Sequence, residues 1–245
     1  MTYCVGMKID RGLVFMSDTR TNAGLDNISK FSKMRSWSKP GDRVIVLLSA
    51  GNLATTQSVA SLLEERMKAP ADRHPSVFDA PSMFQVARLV GDTVKEVIQS
   101  SATGGQKAAD AFGASFILGG QIKGGQPRLF YIYPEGNFIE SSVDTPFFQI
   151  GENKYGKPIL VRAYQPDMSF EDAVKLLLVS FDSTLKANLS VGLPLDMQIY
   201  ETDSLETGVQ RRFEATDPYY QTVSESWSEA LKSALVQLPP FCFED

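Results

Sequence analysis

The second residue of the chain is Thr2, and the run it heads, Thr2-Tyr3-Cys4-Val5-Gly6-Met7-Lys8-Ile9, reads as a β-strand with no basic or apolar leader before it. Methionine aminopeptidases remove an initial Met when a small residue follows, and threonine qualifies. Cleavage of the Met1–Thr2 bond would leave two reactive groups on one residue. The hydroxyl serves as a nucleophile. The amine on the same Cα, with an ordinary pKa of about 7.7–8.0, serves as a general base near neutral pH. A lysine beside that amine would lower its pKa by like-charge repulsion, and a carboxylate would hold the lysine in place. Asp18 is the candidate carboxylate; Lys30 and Lys33, in Ser29-Lys30-Phe31-Ser32-Lys33-Met34, are the candidate lysines.

The remaining composition offers little else that could act as the base. His74 is the only histidine, in the polar, proline-flanked stretch Ala71-Asp72-Arg73-His74-Pro75-Ser76, and reads as a solvated loop residue. A Ser-His-Asp or Cys-His arrangement would have to run through it. Zinc sites built on several histidines are ruled out, and no Gly-rich phosphate loop ending in Gly-Lys-Ser/Thr occurs. The two cysteines, Cys4 and Cys242, have neither a pairing pattern nor metal-ligand spacing. No metal or cofactor is expected. A net charge of -5 argues against nucleic acid as a default partner. No apolar run approaches the ~18 residues that span a bilayer, so a membrane partner is not expected either. The natural reading is a reduced, cytoplasmic protein.

Residues of these types need a scaffold, and with 43% apolar and 22% charged residues the chain can bury a substantial core. Residues 2–9 and 13–19 are strand-like runs joined by Asp10-Arg11-Gly12, a tight-turn signal. A turn centred near Arg11 places Cys4 opposite Asp18 and Thr2 opposite Arg20, so that Thr2, Asp18 and Arg20 project from one side. After a more polar stretch, Arg43-Val-Ile-Val-Leu-Leu-Ser-Ala-Gly51 reads as a strand buried on both faces, leading directly into a helix. A second amphipathic helix covers 81–102. A glycine-rich linker precedes strands at Ala114–Ile122, Arg128–Pro134 and Asn137–Ser142. A short strand and helix follow in 146–164, and a helix after Ser169 carries a Ser169-x-x-Asp172 capping pattern. A strand at Asp196–Asp203 and a helix over 221–238 complete the order. Blocks of strands separated from blocks of helices predict an α+β fold, with two central sheets flanked by helices on both outer faces, as one domain over 1–245.

Three stretches taken together resemble a mature proteasome β-subunit. These are Thr2–Gly24, with its hairpin and Ser17-Asp18-Thr19-Arg20-Thr21-Asn22-Ala23-Gly24; Phe31–Trp37; and the strand-to-helix junction Arg43–Gln57 with its Ala50-Gly51 pair. The length and the block Pro146–Leu160 are most similar to the bacterial proteasome-related Anbu (ancestral β-subunit) family. The resemblance covers essentially the whole chain. It implies the four-layer αββα sandwich of N-terminal nucleophile hydrolases, with two antiparallel sheets.

It also implies site residues. Thr2 would be the nucleophile and Asp18 would orient the catalytic lysine, for which Lys33 fits best and Lys30 second. Gly51 would present its backbone N–H to the oxyanion, and Ser190 would support the N-terminal amine. Thr21, Ser49 and Leu53 would line a substrate pocket without a strong charge preference. Two departures stand out: Asn188 occupies the place of an expected Asp, and Gly151-Glu152-Asn153 that of a Gly-Ser-Gly. The implied activity is that of a threonine-type peptidase or amidohydrolase in a self-compartmentalised homo-oligomer, a ring or open spiral of identical subunits, acting on a peptide or amide substrate. With no ATP-binding motif, unfolding would need a separate unfoldase or adaptor. Two rival readings stand beside it: a dedicated amidase or amide transferase on the same fold, and a non-catalytic assembly scaffold.

Overall fold

A computed structural model describes residues 2–22, 28–68, 75–101 and 111–243. Met1, the His74 loop and most of the glycine-rich linker lie outside the described residues. The strands are β1 (Tyr3–Ile9), β2 (Gly12–Asp18), β3 (Arg20–Asn22), β4 (Ile28–Lys30), β5 (Met34–Lys39), β6 (Arg43–Gly51), β7 (Ala114–Ile122), β8 (Arg128–Ile132), β9 (Phe138–Glu140), β10 (Phe147–Gly151), β11 (Leu195–Glu201) and β12 (Gln210–Phe213). The helices are α1 (Leu53–Lys68), α2 (Met83–Ser101), α3 (Lys157–Ala163), α4 (Phe170–Ala187) and α5 (Pro218–Gln237).

One antiparallel sheet runs β10-β1-β2-β11-β12, a second runs β5-β6-β7-β8-β9, and β3-β4 form a small hairpin. The side chains sort into layers by strand parity. Val44, Val46 and Leu48 of β6 meet Cys4, Leu13 and Phe15 between the sheets. Ile45 and Leu47 of the same strand face Val59 and Leu63 of α1 and the Val86-Val90-Val94-Val97 stripe of α2. On the other side Tyr3, Val5 and Met7 pack against Leu160 of α3 and Leu177 and Phe181 of α4. The result is the expected αββα sandwich, and the apolar run of β6 is buried on both faces. Each fully buried Leu, Val or Phe contributes about 1.5–3 kcal/mol by area. Two helix starts bear directly on later points. Ser169 caps α4 by accepting the Asp172 N–H, and Asp217 caps α5, with Pro218 opening the helix.

The hairpin register differs from the expected one. Cys4 pairs with Ser17, and Ile9 with Gly12. Gly12 belongs to β2 rather than to the turn, so the loop holds only Asp10 and Arg11 and every pair shifts by one residue. Thr2 and Arg20 are therefore not opposed, and the Thr2-Asp18-Arg20 projection is replaced by a different contact: Asp18 meets the backbone of Tyr3. The hairpin β3-β4 and the edge strand β12 were also not anticipated, and α5 begins at Pro218, three residues before the expected Gln221. Among the described residues no helix is long and apolar enough to cross a membrane.

Candidate active site

Strand β1 carries Thr2 to the end of the sandwich where β2, β6 and β10 also finish. Thr2 is 9% exposed, and its carbonyl accepts the Glu152 N–H at 2.6 Å. The next peptide N–H, that of Tyr3, donates to Asp18 Oδ1 at 3.0 Å. Asp18, wholly buried, also accepts from Lys33 Nζ at 2.6 Å and from the Gly192 N–H at 3.3 Å. Burial raises the Asp18 carboxyl above its ordinary value, while the Lys33 ammonium and the two peptide N–H groups act against that rise. Lys33 is itself buried and makes a second donation, to the Arg20 carbonyl at 2.6 Å. Its own carbonyl accepts the Ser49 N–H at 2.9 Å, which ties the lysine-bearing segment to β6. Lys30, the other candidate, is exposed on β4 opposite Arg20 and makes no contact with Asp18.

Gly51 ends β6 one residue before Asn52, whose side chain accepts the Thr55 N–H and caps α1. The positive end of the α1 dipole thus lies beside the Gly51 backbone. With φ at +114° and the Gly113 carbonyl pressed against the space a Cβ would fill, position 51 accepts only glycine without strain.

A cavity of about 460 Å³ opens between these elements, and Thr2, Thr21, Lys33, Ser49, Gly51 and Leu53 all line it. Asp18 stands behind Lys33. Ser190 does not line the cavity: its N–H and hydroxyl both donate to Asn188 Oδ1, at 3.0 and 2.6 Å. Asn188 in turn donates to buried Glu152 at 2.9 Å, and Glu152 holds the Thr2 carbonyl through its N–H. Ser190 therefore reaches Thr2 through two intermediaries.

Two further lining residues, Arg35 and Gln57, went unforeseen. Period-2 alternation from Lys33 and the i,i+4 step from Leu53 were the signals that pointed to them. The lining carries Lys33 and Arg35 and, among the described residues, no carboxylate. That is more cationic than Thr21, Ser49 and Leu53 alone imply. Glu64 stands 3.9 Å from Arg35, outside the lining.

Gly151 fixes Thr2 from β10. Its φ is +83°, and a Cβ there would collide with the Thr2 carbonyl. Gly151→Ala is expected to destabilise the fold by about 1–3 kcal/mol through backbone strain, read as a lower urea midpoint. The collision is also expected to displace the backbone of Thr2.

The proteasome subunit profile matches residues 2–197. Proteasome subunit beta 2 of Pyrobaculum calidifontis is 26% identical over 198 residues, 80% of this chain and 87% of its own length. Anbu (ancestral beta-subunit) from Yersinia bercovieri superposes with a TM-score of 0.93 at 48% identity, covering 100% of both chains. The Anbu complex from Pseudomonas aeruginosa, solved as a helical assembly, matches with a TM-score of 0.91 and 44% identity over 98% of each chain. With the αββα sandwich carrying Thr2, Lys33 and Gly51 to one cavity, and with likeness running the full length of Anbu chains, this chain belongs to the proteasome subunit family and, within it, to the Anbu group.

Proposed function

We propose that this chain is a threonine-type N-terminal nucleophile hydrolase of peptide or amide bonds, working as a cytoplasmic homo-oligomer. The observation that carries the reading is the convergence of Thr2, Lys33 and Gly51 on one cavity, with Lys33 anchored to buried Asp18 at 2.6 Å.

After Met1 is removed, the Thr2 hydroxyl attacks the substrate carbonyl carbon and its proton passes to the Thr2 α-amine. The oxyanion of the tetrahedral intermediate lies against the Gly51 N–H, near the α1 N-terminus. Collapse expels the amine product, which takes its proton from the α-ammonium and leaves an ester on Thr2. Water, activated by the same amine, hydrolyses that ester. The Lys33 ammonium favours the neutral amine by like-charge repulsion, and Asp18 positions Lys33. Ser190 acts at a distance as a positioning residue, through Asn188 and Glu152. Thr21, Ser49 and Leu53 shape the substrate pocket. Assembly of identical subunits follows the Pseudomonas aeruginosa relative, whose chains form a helical assembly. Energy-dependent unfolding of a protein substrate falls to a separate unfoldase or adaptor.

Intact-mass and peptide mass spectrometry of the purified protein, treated with an epoxyketone or β-lactone, tests this. The expected result is Met1 absent and one adduct on Thr2. A processed chain that takes no adduct would overturn catalysis in favour of a scaffold. An adduct without turnover of any peptide library would narrow the activity to a dedicated amide substrate.

A further inference from the structure

The last turns of α5 and the segment after it are apolar and uncovered. Tyr220 packs its first turn into the core, and Lys186 of α4 reaches Ser228 at 2.8 Å. Beyond that contact every residue from Glu229 to Phe243 is exposed, including Leu235 (71%), Val236 (84%), Phe241 (81%) and Phe243 (87%). Pro239-Pro240 stiffens the chain, and Leu238 before them is already extended at φ -70° and ψ 150°. Residues i and i+2 of an extended segment share a side, and the rings of Phe241 and Phe243 sit 5.0 Å apart, edge to face. This is a preformed two-ring plug that no other described residue of its own chain covers.

A receptor of matching chemistry exists elsewhere on the surface. Between edge strands β9 and β10 and helix α3 lies a groove of about 580 Å³, lined by Tyr131, Tyr133, Val143, Phe148, Lys157 and Val161. The Tyr131 ring lies tilted 4.6 Å from Tyr133 and edge to face 5.9 Å from Phe148, so the floor is aromatic, as in grooves that take proline-stiffened segments. Lys154 and Lys157 are exposed near the end where α3 begins and form no ion pair among the described residues. They complement the acidic Glu244 and Asp245 that follow Phe243 in the sequence. The groove's own carboxylate, Asp144, lies toward the other end, beside Pro146, whose carbonyl bonds Lys8 at the far end of β1.

The exposure of the plug decides the occupant. Phe241 and Phe243 stand 81% and 87% exposed and Val143 on the groove rim 96%, so the plug does not fill the groove of its own chain. Plug and groove are different patches of one surface, and the plug of one copy in the groove of the next is a heterologous, head-to-tail contact, the kind that repeats into a ring or an open helix. We propose that the Pro239–Phe243 segment of one subunit docks in the Tyr131-Tyr133-Phe148 groove of a second copy. This rests on the homo-oligomer reading above. Two phenylalanines bury roughly 150–250 Å² each, less than a stable interface needs on one side, so the plug is one element of a larger contact that includes the exposed half of α5.

Cys242, between the two phenylalanines, is exposed, and Val143 on the groove rim is 96% exposed. Buried Cys4 does not compete for oxidation. In full-length Val143→Cys protein, mild oxidation is expected to give a ladder of disulfide-linked multimers on non-reducing gels, lost when Cys242→Ser is added. Phe241→Ser with Phe243→Ser should lower the light-scattering mass at micromolar concentration while leaving subunit circular dichroism unchanged. An intrachain disulfide alone would overturn the second copy as occupant. Absence of any disulfide in a protein that is multimeric by light scattering would overturn the docking while leaving the homo-oligomer standing. A protein monomeric at every concentration would overturn both.

Discussion

Asp18→Ala is expected to destabilise the folded chain by about 3–5 kcal/mol, the cost of leaving one member of a buried ion pair without its partner. The single carboxylate serves three donors: Lys33 Nζ, the Tyr3 N–H and the Gly192 N–H. Without it, Lys33 keeps only the Arg20 carbonyl. Two peptide N–H groups also lose their acceptor, one of them in the residue next to Thr2. The effect is to be read as a fall in the urea midpoint at unchanged slope. Asp18→Asn combined with Lys33→Met removes the charge term and gives up only the Gly192 acceptor besides, because the asparagine oxygen still accepts the Tyr3 N–H and no buried ammonium remains. The double variant should recover much of the lost stability, a coupling expected only for groups in contact. Thr2 labelling should nevertheless be lost, since on the proposed mechanism the lysine that favours the neutral amine is gone. A double variant no more stable than Asp18→Ala would show that the pair does not carry the energy assigned to it.

The parts of this architecture that announce themselves in the sequence are those whose burial is uniform. β6 is a continuous apolar run because helices lie on one side and a sheet on the other, and α2 shows its buried stripe at regular helical spacing. The order Thr2, Asp18, Lys33, Gly51 was legible as a resemblance, since each sits at an element end with a distinctive neighbour. What was not legible depends on pairing rather than on pattern. β12 is Gln210-Arg211-Arg212-Phe213, with only Phe213 buried, and it exists because β11 offers an edge. β3 and β4 are three residues each and, Ile28 apart, polar, held by one another and by the Phe31 N–H donating to the Thr19 carbonyl. The hairpin register turned on whether Gly12 belongs to the turn or the strand, which composition does not decide. The Thr2-Glu152-Asn188-Ser190 chain joins three distant segments, so no local spacing foretells it.

Thr2→Ala is expected to abolish turnover, with kcat/KM reduced by about 10⁴–10⁶-fold as for loss of a covalent nucleophile, and to abolish electrophile labelling. Alanine is small, so Met1 is still removed and a free amine is still produced. The variant therefore subtracts the hydroxyl alone. The complementary variant subtracts the amine alone: a leucine inserted between Met1 and Thr2 blocks the aminopeptidase and leaves the hydroxyl on an internal residue. It too should be inactive and unlabelled, whereas Thr2→Ser, which keeps both groups, should label and turn over. The insertion is the more informative of the two, because Lys33 is the rival for the role of base. Geometry argues against that rival. Lys33 Nζ donates to Asp18 and to the Arg20 carbonyl, each at 2.6 Å. To serve as the base, Nζ would have to turn toward the Thr2 hydroxyl and surrender at least one of these two anchoring bonds. The α-amine is then the remaining group that can accept the Thr2 hydroxyl proton within the same residue. Activity of the leucine insertion at the unmodified rate would transfer the base role to Lys33, and would require it to give up the donation to Asp18.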